Sequence, residues 1–166
     1  KTNPDLVINA AAFTDVEKAE VDEENAYRVN TIAPKSMAKA CAKLDIPIFH
    51  ISTDFVFDGG KKGPYLENDT SNPINVYGRT KLLGELAIRN VTKKNIIIRT
   101  SWVFSNNGNN FVNKIFEISR SKNVIKIVDD EIGGPTCANC IANCLLTLSQ
   151  KTINSNQWGL YHYSGF

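Results

Sequence analysis

The 166-residue sequence has no apolar run approaching the length of a membrane span and no block of like charges. The first absence excludes a transmembrane helix, which takes about 20 consecutive apolar residues. The second speaks against a nucleic-acid groove or a basic membrane-binding face, since 19 basic and 17 acidic residues are interspersed to a net charge of +2. Residues 1–5 do not read as a signal peptide, and the expected compartment is the cytoplasm. No internal repeat, linker or low-complexity stretch interrupts the chain. Histidine is scarce: His50 and His162 both sit in strand contexts, where a packed side chain is expected rather than a ligand. Also missing is the glycine-rich strand–turn–helix fingerprint that cradles a dinucleotide pyrophosphate.

Cysteine is present, but in a pattern that stops short of a metal site. Cys137, Cys140 and Cys144 read Cys-x-x-Cys-x-x-x-Cys, which invites an iron–sulfur or zinc reading. No fourth nearby Cys or His completes it. Offsets of three and seven also define one face of a helix, and Ile141, Leu145 and Leu148 extend that face. The expectation is therefore core-facing helix thiols, with Cys41 likewise buried, and no metal.

What the chain does contain is the make-up of one globular domain with a sizeable core, 42% hydrophobic and 22% charged. Branched aliphatic runs predict strands at 6–9, 46–51, 95–99, 124–128 and 159–163. Helical patterns fall between them. One begins at the acidic Asp22-Glu23-Glu24, bends near Pro34 and ends at Leu44. Others cover 76–89, 111–121 (Ile115 and Ile118 inward) and the cysteine stretch opened by a turn at 133–136. A polar loop over 58–73 has the scale of a substrate-facing insertion. Alternating strand and helix predicts α/β architecture, a doubly wound parallel sheet with helices on both faces.

The chemistry concentrates in two stretches. In His50-Ile51-Ser52-Thr53-Asp54 a buried strand ends in hydroxyls and a carboxylate. In Tyr77-Gly78-Arg79-Thr80-Lys81 a phenol and an amine lie four residues apart, on one face of a helix and one turn from each other. A strand end facing such a helix suits ketone reduction. The phenol gives a proton to the carbonyl oxygen, the ammonium lowers the phenol's pKa and can grip a cofactor ribose, and a Ser or Thr hydroxyl steadies the substrate oxygen. Taken singly, each residue has a plainer reading. Tyr77 could be a packing residue, Lys81 a solvated helix lysine, and Thr53-Asp54 a strand end capping its own loop.

Four segments together, Asn9–Thr14, Ser52–Gly59, Asn75–Glu85 and Arg99–Phe104, make the sequence resemble the dTDP-4-dehydrorhamnose reductases, a family of extended short-chain dehydrogenase/reductases. The resemblance runs from Asp5 to about Tyr163. It implies an incomplete Rossmann-like domain with the start of a substrate-binding part, lacking the amino-terminal glycine-rich motif and the carboxy-terminal end. The isolated fragment is then expected to be inactive. The implied reaction is hydride transfer from NADPH or NADH to C4 of dTDP-4-dehydro-L-rhamnose, giving dTDP-L-rhamnose for bacterial surface polysaccharide.

By the same resemblance Tyr77, Lys81 and Thr53 are catalytic, and Ala12, Phe13 and Thr14 join Tyr77 and Lys81 at the cofactor. Thr53, Asp54 and Trp102 then contact the sugar nucleotide. Asn9, Asn30 and Ser52 are expected to support the fold. A homodimer is implied, and some members carry magnesium at its interface, with ligands that cannot be placed in this sequence. Related dehydratases carry Asp-Glu after the Thr; here Phe55 occupies the second position, so the carboxylate pair for elimination is missing. Sugar-nucleotide epimerases generally have Ser-Ser where this chain has Thr53-Asp54. A rival of another class is a non-catalytic cofactor-binding subunit, like the regulatory subunit of methionine adenosyltransferase.

Overall fold

The computed structural model describes residues 3–108, 110–127, 131–152 and 157–165. Strands β1 (Val7–Asn9), β2 (Ile48–Thr53), β3 (Asn95–Thr100) and β6 (Gly159–His162) form one sheet in the order β1-β2-β3-β6. Every neighbouring pair in it is parallel. Two short strands, β4 (Val103–Phe104) and β5 (Thr136–Cys137), pair in parallel as a second, separate sheet.

Because side chains alternate across a strand, β2 sends Ile48, His50 and Ser52 to one face and Phe49 and Ile51 to the other. The register sets His50 beside Ile97, Ser52 beside Arg99, and Arg99 beside His162. Each face has its own apolar core. Ile48 and Ile97 pack with Ala38, Cys41 and Ile88. Phe49, Ile96 and Ile98 pack with Ile141 and Leu145. Burying each of these large side chains contributes roughly 1.5–3 kcal/mol. The first cluster is supplied by helices α3 (Ala33–Lys43) and α4 (Val76–Val91), and the second by α6 (Ala138–Thr152). Helices thus cover both faces of a parallel sheet, as the alternation predicted.

The region before α3 is more broken than its sequence suggested. A separate helix, α1 (Val16–Val21), comes first, its amino end capped by the Asp15 carboxylate on the Lys18 N–H. Asp22 ends it and caps α2 (Glu23–Tyr27). The expected bend is a π-helical turn, Arg28–Ile32, placed just ahead of Pro34 in the first turn of α3. Proline has no N–H to give back to the preceding turn, and a widened turn accommodates that loss.

Helix α4 starts where two acceptors meet its free amides. The Asn75 side chain takes the Gly78 N–H at 2.7 Å, and the Glu20 carboxylate takes the Val76 N–H at 2.7 Å. Helix α5 (Phe111–Ser119) is capped by Asn110; Ile115 and Ile118 are only half-buried, and Phe116 is exposed.

Three expectations need correction. Residues 124–127 form no strand, although Val124, Ile125 and Ile127 make a branched aliphatic run, and Val128 lies outside the described residues. Val124 and Ile127 are exposed, without a neighbouring strand to take their backbone groups. The 58–73 loop does not line the cleft described below. It folds on Asp58, which accepts from the Gly60 N–H, the Tyr65 hydroxyl and the Asn72 amide and is thereby held down at about 2. The loop then reaches β6, where the Glu67 carboxylate accepts the His162 N–H. Finally, the cysteines do not share one buried helix face. Cys137 belongs to β5 and is half-buried, Cys140 is exposed, and of the three only Cys144 packs against the core. No helix among the described residues is long and apolar enough to cross a membrane.

Candidate active site

A cleft of about 380 Å³ opens at the carboxyl ends of β1, β2 and β3, where ligands of parallel α/β sheets bind. Thr53 and Asp54 come to it from the end of β2, and Tyr77 and Lys81 from the first turns of α4. Ala12 and Thr14 line it from the loop after β1, and Trp102 from the turn after β3. Of the residues assigned in the sequence to catalysis, cofactor or substrate, only Phe13 is absent from the lining. Its ring packs toward Ala19, Ala26 and Val76. Its backbone is pinned by Asn30, which accepts the Phe13 N–H at 2.8 Å and donates to the Phe13 carbonyl at 3.0 Å. Asn30 therefore shapes the loop that presents Ala12 and Thr14.

Close approach of α4 to the strand end depends on Gly78. A Cβ there would lie 2.0 Å from the Phe55 carbonyl oxygen. With glycine, the Tyr77 ring meets the Phe55 ring edge-on at 5.5 Å between centroids. The expected lowering by Lys81 does not hold: burial pushes the Tyr77 phenol above its ordinary range, the Thr53 side chain offsets part of that, and the Asp54 charge adds to it. Tyr77 is thus a protonated phenol at neutral pH. Thr53 donates to Asp54 at 3.0 Å and accepts the Phe55 N–H at 3.2 Å. Burial raises the Asp54 carboxyl, with the Thr53 bond pulling the other way.

Lys81 is 2% exposed. Its Nζ donates to the Ile51 carbonyl at 2.6 Å and stands 3.5 Å from His50 Nε2. Burial lowers its pKa to about 8, against an upward pull from Glu85. His50 is fully buried, and its pKa lies well below the usual imidazole range through burial first and the Lys81 charge second. Asn9 fixes its tautomer. The Ala11 N–H bonds to Asn9 Oδ1 at 3.1 Å, which turns the Asn9 amide donor onto His50 Nδ1 at 3.0 Å. With Nδ1 accepting, the neutral ring carries its proton on Nε2, the nitrogen facing Lys81.

One turn further along α4, Glu85 is fully buried and accepts from Arg99 Nε at 2.9 Å and Nη2 at 2.7 Å. Ser52 also donates to Glu85, and Ser71 receives the second bond of Arg99 Nη2 at 3.1 Å. Ser52 is thus structural, as expected; its hydroxyl ties β2 to α4.

Trp102 holds a left-handed backbone, φ 44°, a strained conformation for a bulky residue. Its carbonyl accepts the Thr136 N–H at 3.1 Å, and its ring meets Phe111 edge-on at 5.7 Å. Gly133 makes room for that ring: a Cβ there would fall 2.2 Å from the indole nitrogen. Sequence reasoning missed Thr100. It sits beside Thr53 in the sheet register, lines the cleft, and has a buried hydroxyl without a partner. The signal was available, since Arg99-Thr100-Ser101 ends β3 as Ser52-Thr53-Asp54 ends β2.

The cleft suits the ribose and nicotinamide of a dinucleotide. Ala10 and Ala12 leave backbone close to its floor, Tyr77 and Lys81 present a phenol and an amine, and Thr100 offers a free hydroxyl. Among the described residues, no three His, Cys, Asp or Glu side chains come together to hold a metal, so the magnesium implied by resemblance has no donor set here.

A family model described as RmlD substrate binding domain matches residues 1–166. A dTDP-4-dehydrorhamnose reductase of Aggregatibacter actinomycetemcomitans is 40% identical over 164 residues, covering 98% of this chain and 56% of that protein. The crystal structure of a dTDP-4-dehydrorhamnose reductase from Clostridium acetobutylicum aligns with TM-score 0.91 at 38% identity, over 97% of this chain and 56% of that one. A Bacillus anthracis dTDP-4-dehydrorhamnose reductase, solved in complex with NADP, aligns with TM-score 0.88 at 35% identity, over 99% and 57% of the two chains. The chain spans about half the length of the curated relatives it matches.

Proposed function

The chain belongs to the RmlD substrate binding domain family, and on that premise we propose that its cleft serves the reduction of dTDP-4-dehydro-L-rhamnose to dTDP-L-rhamnose with NADPH or NADH. The observation that carries this reading is the convergence of Thr53, Tyr77 and Lys81 on one cleft at the strand ends. A bound nicotinamide supplies the hydride for C4. The chain's own residues handle the oxygen. Tyr77 keeps its proton at neutral pH and gives it to the developing alkoxide. Thr53 bonds the same oxygen by turning its single hydroxyl proton to it from Asp54, while the Phe55 N–H keeps Oγ1 in place. Lys81, one helical turn away, balances the charge left on the phenolate and holds the nicotinamide ribose. Ala12 and Thr14 border the cofactor, Phe13 shapes their loop from behind, and Asp54 and Trp102 face the sugar nucleotide.

Phe55 supports simple reduction over dehydration, because its ring leaves the cleft without a second carboxylate beside Asp54. A homodimer, which rests on the resemblance alone, and a cytoplasmic location belong to the same proposal.

The test follows NADPH absorbance on adding dTDP-4-dehydrorhamnose to the complete protein, beside Tyr77→Phe. Substrate-dependent oxidation that falls by about 10²–10⁴-fold in the variant is the expected result. Tight NADPH binding without oxidation would overturn the reductase and favour a non-catalytic binding subunit.

A further inference from the structure

The Cys-x-x-Cys pair is neither core nor metal site. Cys137 is the last residue of β5, and α6 begins at Ala138, so Cys140 sits in the first turn of a 15-residue helix. Neither thiol is fully buried, and Cys140 is exposed to solvent. The two thiols are near enough for each to alter the other's proton affinity. Positions three apart on a helix bring their Cβ atoms within about 5–6 Å. Here Cys137 stands at the strand end just before the helix and Cys140 in its first turn, so the pair brackets the helix start.

The two sulfurs are also chemically unequal. The backbone N–H groups of Cys140 and Asn139 face Cys137 and hold its thiol below the ordinary range. Its proximity to Cys137 raises the Cys140 thiol. Cys144, on the next turn, is raised by burial, and so is the neighbouring Tyr163 phenol. A favoured thiolate beside a protonated partner at a helix start is the arrangement that thiol–disulfide exchange requires.

We propose that Cys137 and Cys140 form a reversible disulfide by exchange with a small-molecule disulfide, Cys137 attacking and Cys140 resolving. In the first step the Cys137 thiolate attacks one sulfur of the small disulfide. That S–S bond breaks, one thiolate leaves and is protonated by water, and Cys137 remains in a mixed disulfide. Cys140 then loses its proton to water and attacks Cys137 Sγ, expelling the second small thiol. The cysteine pair gives up two electrons and the small disulfide is reduced to two thiols. The site joins directly to the cleft wall. Cys137 pairs with Phe104 across β4 and β5, and the adjacent Thr136 N–H holds the Trp102 carbonyl at 3.1 Å.

The experiment equilibrates the complete protein in glutathione buffers of increasing disulfide content, traps free thiols by alkylation, and maps peptides by mass spectrometry. The expected result is joint loss of alkylation at Cys137 and Cys140, reversed by excess reduced glutathione, with Cys41 alkylated only after unfolding. Cys140→Ser should stop at a stable glutathione adduct on Cys137, and Cys137→Ser should form none on Cys140. Independent alkylation of both residues at every ratio would overturn the proposal, as would an adduct on Cys140 or Cys144 in preference to Cys137. The readout is mass alone, so it stands or falls separately from the reductase reading.

Discussion

Lys81 Nζ lies 3.5 Å from His50 Nε2, the nitrogen that carries the ring proton, and 2.6 Å from the Ile51 carbonyl. The lysine is therefore gripped from the sheet by one acceptor and faced by one neutral donor, almost wholly buried in the cleft wall.

That placement makes stability depend on alkaline pH. Lys81 ionises at about 8 in the folded protein, against 10.5 ordinarily, so folding weakens its hold on the proton. Below the folded value both states are charged, and the folded state bears the whole cost of burial. Above it the unfolded chain holds more protons, and stability rises with pH up to the ordinary lysine value, by at most about 3 kcal/mol. Urea unfolding of the native protein across that window should show the rise, and Lys81→Met should flatten it. An equal slope in the variant would assign the effect elsewhere.

Glu85 and Arg99 form a buried, two-bonded ion pair, 1% and 5% exposed at their side chains. Glu85→Ala strands the guanidinium and should destabilise the protein by about 3–5 kcal/mol. Replacing both, Glu85→Leu with Arg99→Met, should recover most of that loss. Chemical denaturation of Glu85→Leu, Arg99→Met and their combination forms a double-mutant cycle, and a double variant as unstable as Glu85→Ala would refute the pairing argument.

A methyl group at position 78 would meet the Phe55 carbonyl well inside contact distance. Gly78→Ala must push α4 away from the end of β2 and with it the spacing between Tyr77 and Thr53. A loss of about 1–3 kcal/mol is expected, and reductase kcat should fall more than KM rises. Unchanged kinetics would mean that the strand end yields instead.

Asn30→Asp keeps an acceptor for the Phe13 N–H but loses the donors to the Phe13 carbonyl and to Thr80 Oγ1. Leaving such buried groups unmet costs about 1–3 kcal/mol. Because the pinned loop carries Ala12 and Thr14, cofactor affinity should drop along with thermal stability. A stability loss with full affinity would show that the loop keeps its shape without Asn30.

The elements that could be read from the sequence were those whose pattern and partner are both local. Ile96-Ile97-Ile98 declares a buried strand, and Tyr77 and Lys81 share a helix face by spacing alone. Thr53-Asp54 at a strand end and the small residues after β1 pointed to the cleft for the same reason. What stayed hidden depends on contacts far along the chain. Val124 to Ile127 are rich in branched aliphatics like a strand, but composition cannot supply a neighbour to bond. The 58–73 loop has the composition of a substrate flap, yet its acceptors found His162 some ninety residues later. The cysteine spacing fitted a helix face, and it took the position of the first helical residue to put Cys137 outside it. Nothing around Lys81 in sequence foretells the imidazole that Asn9 orients toward it.

The widened turn at Arg28–Ile32 sets the phase between the helices on either side of it. Winding the same residues as a regular α-helix would turn everything beyond the segment by on the order of 80°. Ala38 and Cys41 would then swing off the core they share with Ile48 and Ile97. Holding α3 in place instead would turn Asn30 away from Phe13. Surface loops can gain or lose residues without consequence for either contact. The wider turn takes up its extra residue locally, and the helical faces on either side stay aimed at their own contacts.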